Sequence, residues 1–373
     1  MIQNGKMTNK TFIPPSKTTS FATSLLQSAS LSAEHAAVIS SALTLADLRG
    51  VDTHGLNRLP GYLVRIKTGA LNPNPSFKFN AKTPVCALLD AQNTFGFLAA
   101  HAAVEYACGV AETYGVGIVG VKNSGHYGMA ATYLLQAFER GMGCMAFTNA
   151  SRSMPAWGSK EALLGTSPFA VGLPPGSKER AKGGRGWVLD MSPAVVARGK
   201  IRKAARHGES IPEGWALDAT GSPTTDPNAA LADGAVVLPI GGPKGSGLAM
   251  MMDIFGGLLT GASFAGDVND QYKVADQPQG VGHWFMVFRP DVFLDGGDNG
   301  SEGMEEYKLR MDKLFDRVRN SEKAAGVQRI YTSGEIEDEV EKNRREEGIP
   351  FTSSEIDTLN RIAEEWGSQE RLP

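Results

Sequence analysis

Cysteine is scarce and unpatterned: Cys86, Cys108 and Cys144 are the three in 373 residues. They make no C-x-x-C pair and no zinc spacing, which excludes a disulfide-stapled scaffold and a structural zinc site. Scattered thiols of this kind fit a reducing compartment. No apolar run approaches the ~18 residues that a membrane span needs. The opening stretch MIQNGKMTNKTFIPPSKTTS lacks the apolar core of a signal peptide. A disordered lead over 1–19 and a soluble, cytoplasmic chain are therefore expected. An excess of one charge is missing too: Lys and Arg number 37, Asp and Glu 40, a net of −3. That is too near neutral for a nucleic-acid binder or a polybasic membrane binder. There is no internal repeat.

Glycine is what the chain has in abundance, 44 residues, or about 12% against a usual ~7%. Without a G-X-Y period these glycines mark tight turns and close backbone approaches. A 42% hydrophobic and 21% charged composition is globular. The length suggests two domains, or one large domain with an appendage.

The first part of the chain reads as helices. Ser32 can cap a helix with His35, Val38, Ile39, Ala42, Leu45 and Ala46 on one face, ending at Gly50. A second pattern carries Leu59, Leu63 and Ile66 and stops at Gly69. From about Phe77 strands and helices alternate: PVCALLD, the Ala-rich FLAAHAAVEYACGVAETYG, VGIVGV, ATYLLQAFERG and CMAFTN. Short strands follow at FAVGL, WVLDM and WFMVF, with GSGLAMMMDIFGGLLTG as a long buried helix and Met250–Met252 as core filling. Alternation of this kind implies an α/β domain. Past a flexible LDGGDNGSEG loop, an amphipathic helix should turn Leu309, Leu314 and Val318 inward. A last helix carries Ile356, Leu359 and Ile362 on one face. The expected division is a helical domain from 20–75 plus 305–373 around a sheet domain at 76–304.

Gly115-Val-Gly117-Ile-Val-Gly120 matches the dinucleotide fingerprint G-x-G-x-x-G. That fingerprint needs a strand before it and a helix beginning within it, because the helix N-terminus holds the pyrophosphate. Here a helix precedes and the glycines lie inside the apolar run. A glycine-containing buried strand is expected, not a Rossmann domain. Nucleophile-elbow, P-loop and H-E-x-x-H patterns are absent as well.

Four polar, glycine-flanked clusters interrupt the apolar stretches: ADLRGVDTHGLNR, KNSGHYG, GTSPFAVGLP and LPIGGPKGSG. His54 read alone is a helix cap, and Arg49 or Arg58 alone is a solvated charge. His126 sits between Gly125 and a nearby Gly128, which lets a ligand approach closely. Lys244 stands among glycines at a helix start, where it opposes the helix dipole unless an anion reconciles them. Together they offer a near-neutral proton carrier, arginines able to grip a carboxylate, and a phosphate cradle. That is a kit for hydride transfer between a dinucleotide and a hydroxy or keto acid.

In order and spacing these clusters, with LDMSPAVVARGKI, GWALDATGSPTTDPNAAL and GGPKGSGLAMMMDIFGGLLTGA, resemble the malate/L-lactate dehydrogenase family over about residues 20 to 365. The resemblance implies an α/β fold with a non-Rossmann mixed sheet, a homodimer, NAD or NADP as cofactor and a small carboxylate substrate. It also implies residue roles. His126 of the GHxG turn matches the general acid/base; His54, Arg58, Thr53 and Arg49 fall at the substrate pocket. Asp190, Met191, Ser192, Thr166, Lys244 and Arg310 fall at cofactor positions. Thr53 stands where serine is common, and Pro243-Lys244-Gly245-Ser246 replaces a frequent tyrosine-lysine-glycine-tyrosine, which leaves the substrate open. A cyclic-imine reductase, a catalytically silent binding protein and a metal-dependent hydrolase using His54, His126 and Asp190 are the rival readings.

Overall fold

In the computed structural model residues 10–295 and 302–373 are described. The chain forms strands β1 (Lys10–Ile13), β2 (Phe79–Thr83), β3 (Cys86–Asp90), β4 (Val116–Ser124), β5 (Gly143–Thr148), β6 (Phe169–Leu173), β7 (Trp187–Met191), β8 (Val281–Phe288) and β9 (Ile349–Thr352). Its main helices are α1 (Pro15–Ser28), α2 (Ala33–Leu48), α3 (Leu59–Lys67), α4 (Gly96–Tyr114), α5 (Ala131–Glu139), α6 (Pro243–Met252), α7 (Glu302–Arg319), α8 (Glu335–Glu347) and α9 (Ser353–Glu365).

A seven-stranded sheet has the order β2-β3-β4-β8-β5-β6-β7. Only β3 and β4 are parallel neighbours, joined through α4; the other pairs run antiparallel. This is a mixed sheet, not the parallel sheet of a Rossmann domain. The late strand β8 inserts between β4 and β5, which sets His283 beside Val121 and Thr148. Gly117 lies within β4 as expected, and a Cβ there would collide with the Ala107 carbonyl of α4. Gly117 thus lets a helix pack close on the sheet, while Gly115 ends that helix at φ +80°. Ala99, Ala103, Val104 and Ala107 of α4 join Val119, Val121 and Phe285 in that core. The opposite face holds Phe147, Phe169, Met252 and Trp284.

Ser32 caps α2 through the His35 amide at 3.1 Å, and Gly50 follows it at φ +78°. The disordered lead is corrected from residue 10 onward. β1 pairs antiparallel with β9, and α1 starts at Pro15, a residue pre-set for a first helical turn. Phe21, Leu25 and Leu43 share one core with Ile356 and Leu359 of α9, which a Thr352/Glu355 capping box begins.

Two other expectations are corrected. In α7 the buried stripe is Tyr307, Met311 and Phe315, while Leu309 and Leu314 face solvent. Both stripes have helical spacing, and the aromatic one wins because it packs on Leu173 and Trp187 and gives the Tyr307 hydroxyl an acceptor at Pro174 O, 2.6 Å away. α7 therefore lies on the β6–β7 end of the sheet, not with the terminal helices. The GSGLAMMM helix runs on as a π-helix at Asp253–Leu258 and buries only one side. Met252 is core, but Met250, Ile254, Leu258 and Leu259 are exposed. The LDGGDNGSEG loop falls largely outside the described residues.

Candidate functional site

Between α2 and α3 the chain makes two short 3-10 turns, Asp52–His54 and Leu56–Arg58. Asp47, buried at the end of α2, fixes them. One carboxyl oxygen accepts the Leu56 amide at 2.9 Å, and a Cβ at Gly55 would collide with the other. Desolvation pushes the Asp47 carboxyl up to about 8, with the Leu56 bond opposing. The tight turn leaves His54 and Arg58 on the same side.

His126 arrives from the turn after β4. Its ring stacks on His54 with centroids 5.5 Å apart and an 18° tilt. Tyr62 of α3, buried, places its hydroxyl 2.7 Å from His126 Nδ1, and the Gly128 amide donates to the same nitrogen at 3.3 Å. Nε2 of His126 makes no hydrogen bond among the described residues. The His126 amide donates to Gln279 Oε1 at 3.0 Å, an oxygen that also accepts from the buried Arg65 at 3.2 Å. Thr53 Oγ1 lies 2.9 Å from His54 Nδ1. Beneath, Tyr127 stacks on His283, whose nitrogens meet Thr148 and Ser124 hydroxyls at 2.7 and 2.8 Å.

Burial, and then the Arg58 charge, pushes His54 down to about 4 and His126 well below its ordinary 6.5. The His54 and His283 rings add to the push on His126. Burial therefore favours the neutral form of both rings, against the near-neutral ionisation expected of a free imidazole. Arg58 is the cation closest to this pair. Its Nε donates to Thr53 O at 2.5 Å and its Nη1 to the Tyr272 hydroxyl, and no carboxylate pairs with it among the described residues.

The cofactor candidates are linked to one another by short-range bonds. Asp190, at the end of β7, accepts the Ala131 amide at 2.8 Å and so ties its strand to the helix that follows the His126 turn. Asp190 is exposed at the end of its strand, and desolvation by the protein around it pushes its carboxyl up to about 6, with the Ala131 amide and the Arg49 charge opposing. Ser192 donates to Thr166 O at 2.7 Å, while Met191 beside it is half-buried. The next residues pair with the Lys244 loop: Val195 N–H donates to Leu238 O at 2.9 Å and Ile240 N–H to Pro193 O at 2.8 Å. Gly241 and Gly242 adopt positive φ and deliver Lys244, exposed and without an ion-pair partner among the described residues, to the N-terminus of α6. An unpaired cation at a helix N-terminus suits a dinucleotide pyrophosphate. These residues fit such a group.

Arg49 and Arg310 make no hydrogen bond to the histidine cluster among the described residues, although the Arg49 charge acts on Asp190. Arg49 is buried, with Nη1 2.7 Å from Asp338 and 2.9 Å from Glu341, where it clamps α2 to α8. Arg310 is exposed on α7 and pairs with Glu306 one turn away. Among the described residues no three His, Cys, Asp or Glu side chains are grouped to hold a metal ion. The open cavities beside α7 and α8 share no residue with the histidine cluster.

Sequence reasoning missed Tyr62, Tyr272, Gln279 and His283. Tyr62 had a signal, since it lies four residues after Arg58 and so on the same helical face. The others reach the site from more than 140 positions away and had none.

A sequence profile of the malate/L-lactate dehydrogenase family matches residues 13–360. An L-sulfolactate dehydrogenase of Methanocaldococcus jannaschii is 35% identical over 90% of this chain and 91% of its own. The solved sulfolactate dehydrogenase from that organism superposes with a TM-score of 0.85 at 32% identity, covering 96% of this chain and 98% of the other. A ureidoglycolate dehydrogenase (NAD(+)) of Escherichia coli O157:H7 is 32% identical, over 86% of this chain and 87% of its own. A (2R)-3-sulfolactate dehydrogenase (NADP(+)) of Chromohalobacter salexigens is 36% identical, over 70% and 76% respectively.

Proposed function

The chain belongs to the malate/L-lactate dehydrogenase family, and from that premise we propose that it oxidises a small 2-hydroxy acid, or reduces the corresponding keto acid, with His126 as its acid/base. One observation carries the residue assignment: His126 and His54 both have a hydroxyl at Nδ1 and an Nε2 with no partner among the described residues, but the hydroxyl behind His126 is that of the buried Tyr62 and its backbone is held by Gln279. The substrate's acid group is held at Arg58, and its C2 hydroxyl faces Nε2. His54, stacked on His126 and held by Thr53, walls the pocket and orients the hydroxyl.

A hydroxyl can both donate and accept, so Tyr62 supports either state of Nδ1. When the Nδ1 proton is placed toward Tyr62, in exchange for the 3.3 Å bond from the Gly128 amide, Nε2 carries a lone pair and takes the C2 hydroxyl proton. In reduction the imidazolium returns that proton, and its Nδ1–H again rests on Tyr62. Bound NAD or NADP would supply the hydride acceptor or donor. Asp190, Met191, Ser192, Thr166 and Lys244 would hold it, with Lys244 and the α6 amides toward the pyrophosphate. Relatives named for NAD(+) and for NADP(+) both occur, and either cofactor suits this reading.

The exposed row Met250, Ile254, Leu258 and Leu259 supports a homodimer in which a second copy covers this face. The free thiols, with Cys108 and Cys144 buried, fit a cytoplasmic location. The test is a spectrophotometric panel with both cofactors against malate, lactate, sulfolactate, ureidoglycolate and cyclic imines. Turnover of 2-hydroxy acids that is lost in His126→Ala supports the reading. Turnover of imines alone would make the chain a reductase of another substrate class.

A further inference from the structure

The segment from Asp267 to Gln279 returns over the histidine pair as a tied loop. The Asn269 amide donates to Gln279 O at 3.0 Å and its Nδ2 to Pro278 O at 2.8 Å, closing the loop at its base. α3 holds the return limb, with Arg65 Nη2 donating to Gln277 O at 3.1 Å. Thr68 Oγ1, just past α3, donates to Ala275 O at 2.8 Å. At the tip, Asp270 Oδ1 accepts the amides of Tyr272 and Lys273 at 2.8 and 3.1 Å. Tyr272 is 61% exposed, yet its hydroxyl meets Arg58 and its ring centroid lies 5.9 Å from the guanidinium carbon.

This contact changes what Arg58 can offer. Thr53 O occupies Nε and Tyr272 occupies one Nη1 hydrogen, so the side-on fork that normally grips a carboxylate is not free. Nη2 has no partner among the described residues. The Tyr272 oxygen accepts from Nη1, so its own proton is available, and no acceptor takes it among the described residues. Two donors therefore stand side by side, the Nη2–H of Arg58 and a phenol O–H polarised by the same charge.

We infer that Arg58 and Tyr272 together clamp the acid group of the substrate, one oxygen accepting from Arg58 Nη2 and another from the Tyr272 hydroxyl. The inference rests on the reading of Arg58 as the acid-group site and adds Tyr272 as a substrate-contacting, specificity-determining residue. The tied loop gives the clamp its rigidity, because its base also holds the His126 backbone through Gln279. A single loop thus spaces the acid group from the acid/base.

Tyr272→Phe keeps the ring over Arg58 and removes only the hydroxyl. Loss of one hydrogen bond to a charged group should raise the KM for malate about tenfold and leave kcat within about twofold, with NAD or NADP. Oxalate, a diacid with no oxidisable C–H, reports the clamp without turnover. Titrated calorimetrically into the chain with cofactor present, it should bind Tyr272→Phe about tenfold more weakly than wild type. Lys273→Ala, beside it on the loop tip and paired only with the exposed Asp233, should change neither. Equal oxalate affinity in Tyr272→Phe and wild type, or a wild type that binds no oxalate, overturns the clamp. The wider reading fails by a different sign: His126→Ala that retains the wild-type kcat.

Discussion

Nδ1 of His126 lies 2.7 Å from the hydroxyl of Tyr62, and this pairing sets the direction of the imidazole. One nitrogen faces a buried phenol, and the other has no hydrogen-bond partner among the described residues.

If Nε2 moves the proton, His126→Ala should lower kcat by ~10²–10⁴-fold, the usual contribution of general acid/base catalysis. Cofactor affinity should stay unchanged, because the cofactor candidates contact the ring through neither nitrogen. Burial and the Arg58 charge hold the His126 imidazolium well below 6.5, so the base is already free at neutral pH. The kcat/KM for hydroxy-acid oxidation should therefore be flat through pH 7 and fall only in acid. His54→Ala should raise KM and keep that acid limb. Loss of the limb in His54→Ala, with His126→Ala unaffected, would reverse the two roles.

Arg58→Lys tests the acid-group site. An ammonium is a point charge and cannot bond Thr53 O, Tyr272 and a substrate oxygen in one plane. KM should rise well beyond the Tyr272→Phe effect, and kcat/KM should fall with it. Kinetics equal to wild type would place the acid group elsewhere.

The fold was legible where local chemistry decided it. Ser32, Gly50 and the Thr352/Glu355 box mark helix ends through bonds made within a few residues, and Gly117 showed that β4 was no phosphate loop. α7 was misread because two stripes of one helix are equally periodic, and only Leu173 and Trp187 decide which is covered. Among the candidate site residues, His54, Arg58 and His126 stood out in sequence because glycines deliver them to turns, and the structure brings the three together. Arg49 looked the same in sequence, but two acids from α8, almost 300 positions away, claim it. Tyr272 and Gln279 reach the cluster through a loop whose course depends on where β8 inserts. No spacing in the sequence encodes that.

Arg49 should matter to stability rather than to binding. Arg49→Met leaves Asp338 and Glu341 partly buried with a missing partner, a loss of about 3 kcal/mol for a broken buried pair. Urea denaturation should show that loss, while the KM for substrate in the folded fraction stays at its wild-type value. A specific rise in KM with unchanged stability would return Arg49 to the pocket.

Two buried groups set opposite pH limbs of stability. The folded pKa of His283 is pushed down to about 3 by burial, below its ordinary 6.5. Between those values the unfolded chain takes up a proton that the folded chain refuses, so stability falls as pH drops from 6.5 toward 3. Asp47 is raised from 3.8 to about 8, so there the folded chain keeps a proton the unfolded chain has lost. Its contribution is full below about 3.8 and declines as pH rises toward 8. Asp47→Asn, which retains an acceptor for the Leu56 amide, should flatten the alkaline decline in a urea-midpoint series and leave the acid limb. An unchanged alkaline limb would show that Asp47 is ionised when folded.

The exposed side of the α6–π-helix unit predicts assembly. Met250, Ile254 and Leu258 recur at four-residue intervals, with Leu259 adjoining, so they form one continuous row on a helix whose other side already packs on the sheet. Water is a poor neighbour for such a row, and each large side chain fully covered would contribute about 1.5–3 kcal/mol. Ile254→Glu places a charge in the middle of that face. In a monomer the carboxylate can stay hydrated, since the residue is 40% exposed. In a dimer it would bury an unpaired carboxylate against apolar side chains, a cost that dissociates most interfaces. Sedimentation velocity should show the wild type as a dimer and Ile254→Glu as a monomer with its circular dichroism intact. A monomeric wild type, or an Ile254→Glu variant that still sediments as a dimer, would take the interface away from this helix.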